Sequence, residues 1–194
     1  MLYIIFGLPR SGTSMLMRML EATEIEVLTD SVRQPDTDNP KGYYEYEPVK
    51  NLPQDASWIK SVDNKGIKVI SHLLPYLPAD NLYKLLFLLR PIEEILESQK
   101  KMLERGGELF DELSQKRLAF KFRDHLYKIR LWIARQPNMN CLFIKYFDVI
   151  NAPLHCARQI SSFLEVECDP HSMASVVDPA LYRNRIQQIN DATT

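Results

Sequence analysis

The sequence lacks long apolar runs and any excess of one charge. No run approaches the roughly 18 to 20 apolar residues that a membrane-spanning helix needs. The 24 basic residues balance the 25 acidic ones, so we expect no overall field favouring nucleic acid or a membrane surface as partner. Residues 1–6 do not read as a charged stretch followed by a long apolar one, which predicts no N-terminal signal. Internal repeats and low-complexity tracts are also missing from the sequence.

Cysteine is scarce as well. Cys141, Cys156 and Cys168 are odd in number and lack the spacing of metal ligands. This pattern predicts reduced thiols in a cytoplasmic protein, without a disulfide framework or a metal site.

The length and the order of apolar segments predict the fold class. A chain of 194 residues is long enough for one domain, 1–194, in which we expect the polar loop 30–47 and the tail 187–194 to be mobile. The predicted strands lie near residues 2–6, 26–29, 67–70, 84–89 and 141–145, and the predicted helices near 12–22, 48–56, 91–105, 111–136 and 151–165. Alternating strands and helices predict an α/β fold, with a central parallel sheet flanked by helices and ligands at the carboxyl ends of the strands.

The segment YIIFGLPRSGTSML, residues 3–16, is the most informative part of the sequence. An apolar strand runs into a glycine turn, and a helix begins where the turn ends. Backbone N–H groups and the positive end of the helix dipole meet in such a turn, which predicts an anion site for a phosphate-like group. We expect the site to contain the following residues: Gly7, Pro9, Arg10, Ser11, Gly12, Thr13 and Ser14.

This turn differs from the common phosphate loop G-x-x-x-x-G-K-[ST]. Gly7 and Gly12 have the right spacing, but Thr13 stands where that loop has its lysine, and the cation is Arg10. A kinase or ATPase needs the lysine and a Walker-B aspartate for magnesium, whereas the strand YKLLFLL ends in Arg90. The motif P-[KR]-S-G-T resembles that of sulfotransferases, in which this loop holds the 5′-phosphosulfate of 3′-phosphoadenosine 5′-phosphosulfate (PAPS).

A second segment strengthens the resemblance. Arg90 follows a strand, and Ser98 lies eight residues later on the next predicted helix. Sulfotransferases use an arginine and a serine with this spacing to hold the 3′-phosphate of the donor. Taken without the resemblance, Arg90 caps the sheet edge and Ser98 is an ordinary helix residue.

Two residues are candidates for the catalytic base. The segment IKVISHLLP resembles the K-T-H-L-P segment of cytosolic sulfotransferases, which makes His72 a general base. The family lysine two residues before the histidine is replaced by Ile70, and Lys68 is the nearest basic residue. Other branches of the family use a glutamate from an earlier segment, which favours Glu45 in the tyrosine-rich loop, with Asp30 as a weaker candidate. The alternatives are a structural histidine and a carboxylate that faces water.

Further matches extend the resemblance from Ile4 to about Arg185. Tyr146 follows the last predicted strand, as in the H-Y-E-x-L segment whose tyrosine contacts the nucleotide. Arg183 and Arg185 are candidates for the C-terminal basic loop that grips the 3′-phosphate, and a plain surface tail is the alternative. The basic residues of the segment 111–136 read as a solvated helix face, with an anionic partner as the minor alternative.

The resemblance implies a P-loop nucleotide-hydrolase-like fold of three layers and a specific activity. It implies an enzyme that uses PAPS, without a metal, and leaves adenosine 3′,5′-bisphosphate (PAP) as product. The sulfuryl group would pass to a hydroxyl or amine of an unidentified small-molecule, sugar or peptide acceptor. Two other classes stay open: a P-loop kinase with a degenerate loop, and a non-catalytic nucleotide-binding module.

Overall fold

A five-stranded sheet forms the centre of the molecule. The computed structural model describes residues 1–30 and 32–185. The strand order is β2-β3-β1-β4-β5, and every neighbouring pair is parallel. The prediction of an α/β fold with a central parallel sheet is therefore confirmed. The strands have these bounds: β1 (Leu2–Gly7), β2 (Glu26–Val27), β3 (Lys65–Ile70), β4 (Tyr83–Leu89) and β5 (Met139–Lys145).

Helices cover both faces of this sheet. The α-helices in the described residues are α1 (Thr13–Glu21), α2 (Glu47–Lys50), α3 (Ile92–Arg105), α4 (Glu112–Ile133), α5 (Tyr146–Asn151), α6 (Pro153–Leu164) and α7 (Pro170–Ser175). Short 3₁₀-helices span Ser57–Ser61, Ser71–Tyr76 and Pro179–Leu181. In the described part of the chain, no helix combines the length and the apolarity that crossing a bilayer requires.

The alternation of side chains along β1 explains the three layers. Tyr3 and Ile5 belong to a core that contains residues of α1, α5, α6 and α7. Ile4 and Phe6 point to the other face, into a second core with residues of α4 and the 3₁₀-helices. Because successive side chains of a strand point to opposite faces, the continuous apolar run of β1 fills both cores.

The central position of β1 determines where a ligand can bind. β3 lies on one side of β1 and β4 on the other. The connection from β3 to β4 therefore crosses β1, and the strand order reverses there. Ligands of open α/β sheets bind in the crevice that this reversal opens at the carboxyl ends of the strands. The turn after β1, the end of β3 and Arg90 after β4 all lie at this edge.

The helix predicted at 48–56 is shorter in the structure, and α5 precedes the helix predicted at 151–165; a proline lies at each place. The helix predicted at 48–56 ends at Lys50, because Pro53 lacks a backbone N–H and disfavours helical backbone in the preceding residue. The chain after β5 forms two helices, α5 and α6, which meet at Ala152 just before Pro153. Ala152 has φ −135° and ψ 57°, outside the helical region.

The polar loop 30–47 is described except for residue 31, and several hydrogen bonds connect it to the rest of the fold. The Asn39 side chain donates to Ser14 Oγ at 3.0 Å, and the Glu45 carbonyl accepts from the Thr29 hydroxyl at 3.1 Å. Arg183 donates to the Thr37 carbonyl at 2.9 Å. The predicted mobile tail, 187–194, lies outside the described residues.

Candidate functional site

A cavity of about 460 Å³ opens at the carboxyl ends of β1, β3 and β4. Ten of the fourteen predicted site residues line it: Gly7, Pro9, Arg10, Gly12, Thr13, Ser14, Glu45, Arg90, Ser98 and Arg183. The remaining predictions, Ser11, His72, Tyr146 and Arg185, are not among the lining residues. The turn after β1 and the second half of α3 therefore line one cavity.

The glycine turn has the backbone geometry of an anion cradle. Gly12 has φ 96° and precedes α1, and no described side chain caps the helix there. The first N–H groups of α1 are consequently open to a ligand. A Cβ at position 12 would lie 2.5 Å from the Tyr146 ring, and one at position 7 would lie 2.5 Å from Ser11 Oγ. Position 12 therefore requires glycine for its positive φ and for lack of room, whereas a side chain at position 7 requires the Ser11 hydroxyl to shift.

Ser11 and Ser14 have different surroundings within this turn. Ser11 is buried, and its hydroxyl has no hydrogen-bond partner among the described residues. Ser14 Oγ donates to the Tyr43 carbonyl at 3.3 Å and accepts from Asn39 at 3.0 Å. Ser14 thus connects the turn to the polar loop, whereas the Ser11 side chain is buried inside the turn.

The guanidinium of Arg90 is held on several sides. Its Nε donates to Glu94 at 2.9 Å, its Nη1 to the Arg10 carbonyl at 3.1 Å, and its Nη2 to the Asn184 carbonyl at 3.2 Å. Its centre lies 4.6 Å from the centroid of the Tyr146 ring. Arg90 is therefore turned toward the glycine turn, where it supports the backbone at residue 10.

Arg10 points along the cavity toward α3. Its backbone is in the left-handed region, with φ 67°, which is costly for a residue with a side chain. Arg10 Nε donates to Ser98 Oγ at 3.0 Å, and Nη2 lies 3.4 Å from a carboxylate oxygen of Asp38. Arg105, at the end of α3, pairs with the same oxygen of Asp38. Two guanidinium groups therefore share one carboxylate beside Ser98.

His72 lies away from the cavity. It is exposed on the 3₁₀-helix Ser71–Tyr76, while its neighbours Ile70 and Leu73 line the cavity. The buried Ser71 hydroxyl lies 2.8 Å from His125 Nε2. Burial, followed by the charge of His72, lowers the pKa of His125 below its ordinary value. The structure thus leaves His72 exposed, and His125 of α4 has Ser71 as its hydrogen-bond partner.

Glu45 and Lys68 bring opposite charges into the cavity on the β3 side. The Glu45 carboxylate pairs with Arg33 at 3.0 Å and with Lys50 at 3.5 Å. The Lys68 ammonium donates to the Tyr43 carbonyl. Burial lowers the pKa of Lys68 to about 8, and the charge of Glu45 opposes this shift. Lys68 can therefore gain or lose a proton near neutral pH.

The C-terminal segment closes the cavity around Arg90. The Tyr182 hydroxyl donates to Glu94 at 2.6 Å, and its ring lies 5.1 Å from that of Tyr146. Arg183 lines the cavity, whereas Arg185 stacks on Tyr182 at 4.8 Å. Tyr146 is buried beneath Gly12, so its structural contacts are with the turn and Arg90.

The sequence interpretation missed Asp38, Arg105 and Glu94. Arg105 follows Ser98 by seven residues, so helical spacing places it on the same face of α3. Glu94 lies on the first turn of α3, four residues after Arg90. The helical spacing could have identified Arg105, and the four-residue spacing of opposite charges could have identified Glu94. Asp38 belongs to an irregular loop, and no local pattern indicates its contact with α3.

A family comparison covers most of the chain. The profile described as "Sulfotransferase domain" matches residues 3–185. The chain therefore belongs to the sulfotransferase domain family, as the sequence motifs indicated. No curated protein matches the sequence significantly.

Solved structures support the fold at low sequence identity. Mouse sulfotransferase SULT7A1, complexed with PAP, has a TM-score of 0.62 and 16% identity, over 90% of this chain and 62% of that one. The sulfotransferase domain from the curacin biosynthetic pathway has a TM-score of 0.55 and 16% identity, over 98% and 96% of the two chains. Sulfotransferase STF9 from Mycobacterium avium has a TM-score of 0.53 and 13% identity, over 90% and 66%. The chain thus spans less than two thirds of the mouse enzyme and nearly all of the curacin domain.

Proposed function

We propose that this protein transfers the sulfuryl group of PAPS to a hydroxyl or amine of an acceptor. The observation that carries the proposal is the contact between Arg10 of the glycine turn and Ser98 of α3, 3.0 Å apart across one cavity. A nucleotide with a phosphate at each end needs two anion sites that share a cavity. Family membership and the SULT7A1 structure with PAP support the same proposal.

The residues present fit such a donor. The open N–H groups at the start of α1 and the glycine positions 7 and 12 suit the 5′-phosphosulfate. Arg90, Ser98 and Arg183 line the same cavity and would hold the 3′-phosphate. When bound, the donor supplies an electrophilic sulfuryl group whose bond to the 5′-phosphate breaks as the acceptor bonds to sulfur.

The protein supplies electrostatic stabilisation and a base. Arg10 and the turn N–H groups stabilise the charge that develops on the departing phosphate oxygen, which is usually the largest catalytic contribution. Between the predicted bases, the cavity supports Glu45, because Glu45 lines it and His72 does not. A carboxylate or imidazole must come within hydrogen-bond reach of the proton that it removes.

Ligand binding tests the proposed class before any acceptor is known. A ligand that binds only the folded protein raises its melting temperature. We expect PAP to raise it and Mg·ATP to leave it unchanged. The reverse result would indicate a kinase, and stabilisation by neither would contradict nucleotide binding at this site.

Sulfate transfer from labelled PAPS to an acceptor library then separates an enzyme from a binding module. Replacement of Arg10 by alanine should lower turnover by about 10²- to 10³-fold, because it removes a donor to the developing charge. Arg117→Ala, on the exposed face of α4, is the matched control and should keep full activity. Near-normal transfer by the Arg10 variant would refute its role, and no transfer by the wild type to any acceptor would favour the module.

A cytoplasmic location is part of the proposal. Cys141, Cys156 and Cys168 are all free thiols in the structure, and burial raises the pKa of each. Thiols of this kind persist in a reducing compartment.

A further inference from the structure

The outer face of α4 exposes four large apolar side chains in one line. Their exposed fractions are 57% for Leu113, 72% for Phe120, 66% for Tyr127 and 43% for Leu131. They are spaced by seven, seven and four residues, so helical geometry places all four on one side of the helix. At 1.5 Å per residue, this outer stripe is about 27 Å long. Single exposed apolar residues are common, whereas a continuous line of them indicates an interaction surface.

Basic side chains border the outer stripe on both sides. Helix α4 carries six basic residues and two acidic ones, in a chain whose net charge is −1. Helical spacing places Lys121 and Lys128 along one side of the stripe, and Arg123 and Arg130 along the other, and all four are exposed. Three cations of the helix pair with solvent-accessible carboxylates: Lys116 with Glu112, Arg123 with Glu93, and Lys128 with Asp124. The surface therefore keeps an excess of positive charge around an apolar centre.

A groove of about 480 Å³ lies beside the stripe, between α3 and α4. Its lining residues are Ile92, Arg123, Leu126, Tyr127, Arg130 and Leu131. Four of these side chains are apolar or aromatic, and the other two are guanidinium groups. The Arg130 guanidinium lies 4.9 Å from the centroid of the Phe143 ring. Guanidinium groups next to apolar side chains suit a lipid, because they bind its phosphate while the apolar residues contact its hydrocarbon.

An anionic bilayer fits this surface better than a protein does. A second copy of the chain would bring the same basic helix to this face, and like charges oppose such a contact. A partner helix needs apolar residues at alternating spacings of three and four, whereas Asp124 stands between Phe120 and Tyr127 in this stripe. Helices that lie in a membrane interface combine an apolar stripe with lysine and arginine beside it, and aromatic residues favour the headgroup level.

We propose that the outer face of α4 binds the anionic surface of a lipid bilayer. The apolar stripe enters the headgroup region, and the cations on its two sides contact lipid phosphates. The net charge of the whole chain gives no sign of this surface, because the positive excess is confined to one helix. The residues that line the cavity include none from α4, so the cavity stays open when α4 lies on a membrane. The proposed cytoplasmic location brings the chain to a leaflet that carries anionic lipid.

Vesicle sedimentation with the full chain tests this proposal. We expect binding to vesicles of equal parts phosphatidylcholine and phosphatidylglycerol, and none to vesicles of phosphatidylcholine alone. Sodium chloride should weaken the binding, because salt screens exposed charges. Saturation with PAP should leave the binding unchanged, because the cavity and α4 share no lining residue.

Two variants test the assignment to α4. Phe120→Ser should weaken vesicle binding on the order of tenfold, because it removes a large apolar side chain from the interface. Lys121→Gln should weaken it about fivefold, the contribution of one cation near an anionic surface. Phe147→Ser and Arg158→Gln are matched controls, since both residues are exposed on helices that cover the other face of the sheet. Circular dichroism establishes that each variant is folded.

Each outcome supports or overturns the proposal. A wild type that does not bind the mixed vesicles refutes it, and equal losses in the α4 variants and the controls would remove the assignment to this face. Analytical ultracentrifugation covers a second copy as occupant: a dimer that Phe120→Ser abolishes, without vesicle binding, would assign the stripe to self-association instead. A failure to bind PAP would refute the proposed function alone, because α4 does not line the cavity.

Discussion

At the scale of single residues, the pair of Arg90 and Glu94 is the most constrained contact in the site. The two charges lie 2.9 Å apart with side-chain exposures of 7% and 3%. Glu94 also accepts the Tyr182 hydroxyl at 2.6 Å. A buried ion pair of this kind contributes little net stability. Removal of one partner, however, leaves an uncompensated buried charge, which is strongly destabilising.

Glu94→Ala should therefore lower the free energy of unfolding by about 3 to 5 kcal/mol, because it leaves the Arg90 charge buried without its carboxylate. Urea unfolding measures the effect. Glu97→Ala is the matched control on the same helix: its pair with Lys101, at 3.3 Å, is partly exposed. Exposed pairs contribute about 0 to 1 kcal/mol, so equal losses in the two variants would contradict the role given to Glu94.

At the scale of elements, the turn between β1 and α1 depends on a residue from the far end of the sheet. Tyr146 begins α5, directly after β5, and its ring fills the space under Gly12. The turn needs glycine at position 12 for two separate reasons, the positive φ and the lack of room for a Cβ. The destabilisation from the positive φ and that from the clash of a Cβ can be measured separately.

Gly12→Ala should lower the free energy of unfolding by more than Gly42→Ala does. Gly42 has φ 88° and no atom within 4 Å of its added Cβ, so its replacement incurs only backbone strain, about 1 to 2 kcal/mol. Gly12→Ala adds a clash with the Tyr146 ring to the same strain. Thermal unfolding of both variants gives the comparison, and a smaller loss at position 12 would show that the ring moves aside freely.

The sequence predicts those parts of the site that local patterns encode. The apolar strand, the glycine spacing and the proline after Arg90 identify β1, the turn and the start of α3, because strand and helix periods repeat within a few residues. The resemblance placed His72 at the cavity, but the 3₁₀-helix from Ser71 to Tyr76 leaves it exposed. Contacts such as Asp38 with Arg105 join positions 67 residues apart, and a loop without periodicity gives no sign of them.

At the scale of the whole molecule, the burial of Lys68 in the cavity lowers the free energy of unfolding. Its pKa is lowered from 10.5 to about 8, chiefly by burial, so the folded state disfavours the charged form. Between these two pKa values the unfolded chain binds more protons than the folded one. The free energy of unfolding of the wild type should consequently rise with pH across this range.

Lys68→Met should stabilise the protein at pH 7 by about 2 kcal/mol, because it removes a buried charge. This advantage should shrink as pH rises from 8 toward 10.5, the window given by the two pKa values. Urea unfolding at a series of pH values measures it. Lys60→Met is the control, since Lys60 is exposed and its pair with Asp80 raises its pKa. A constant difference between wild type and Lys68→Met over the same range would contradict the lowered pKa.

The bond from Arg90 to the Asn184 carbonyl has a consequence for biosynthesis. A ribosome makes the glycine turn first, yet the arginine that steadies this turn has a partner some 94 positions further along. A nascent chain therefore carries this turn without its final support for most of its translation. The turn gains that support only when Asn184 has emerged and docked.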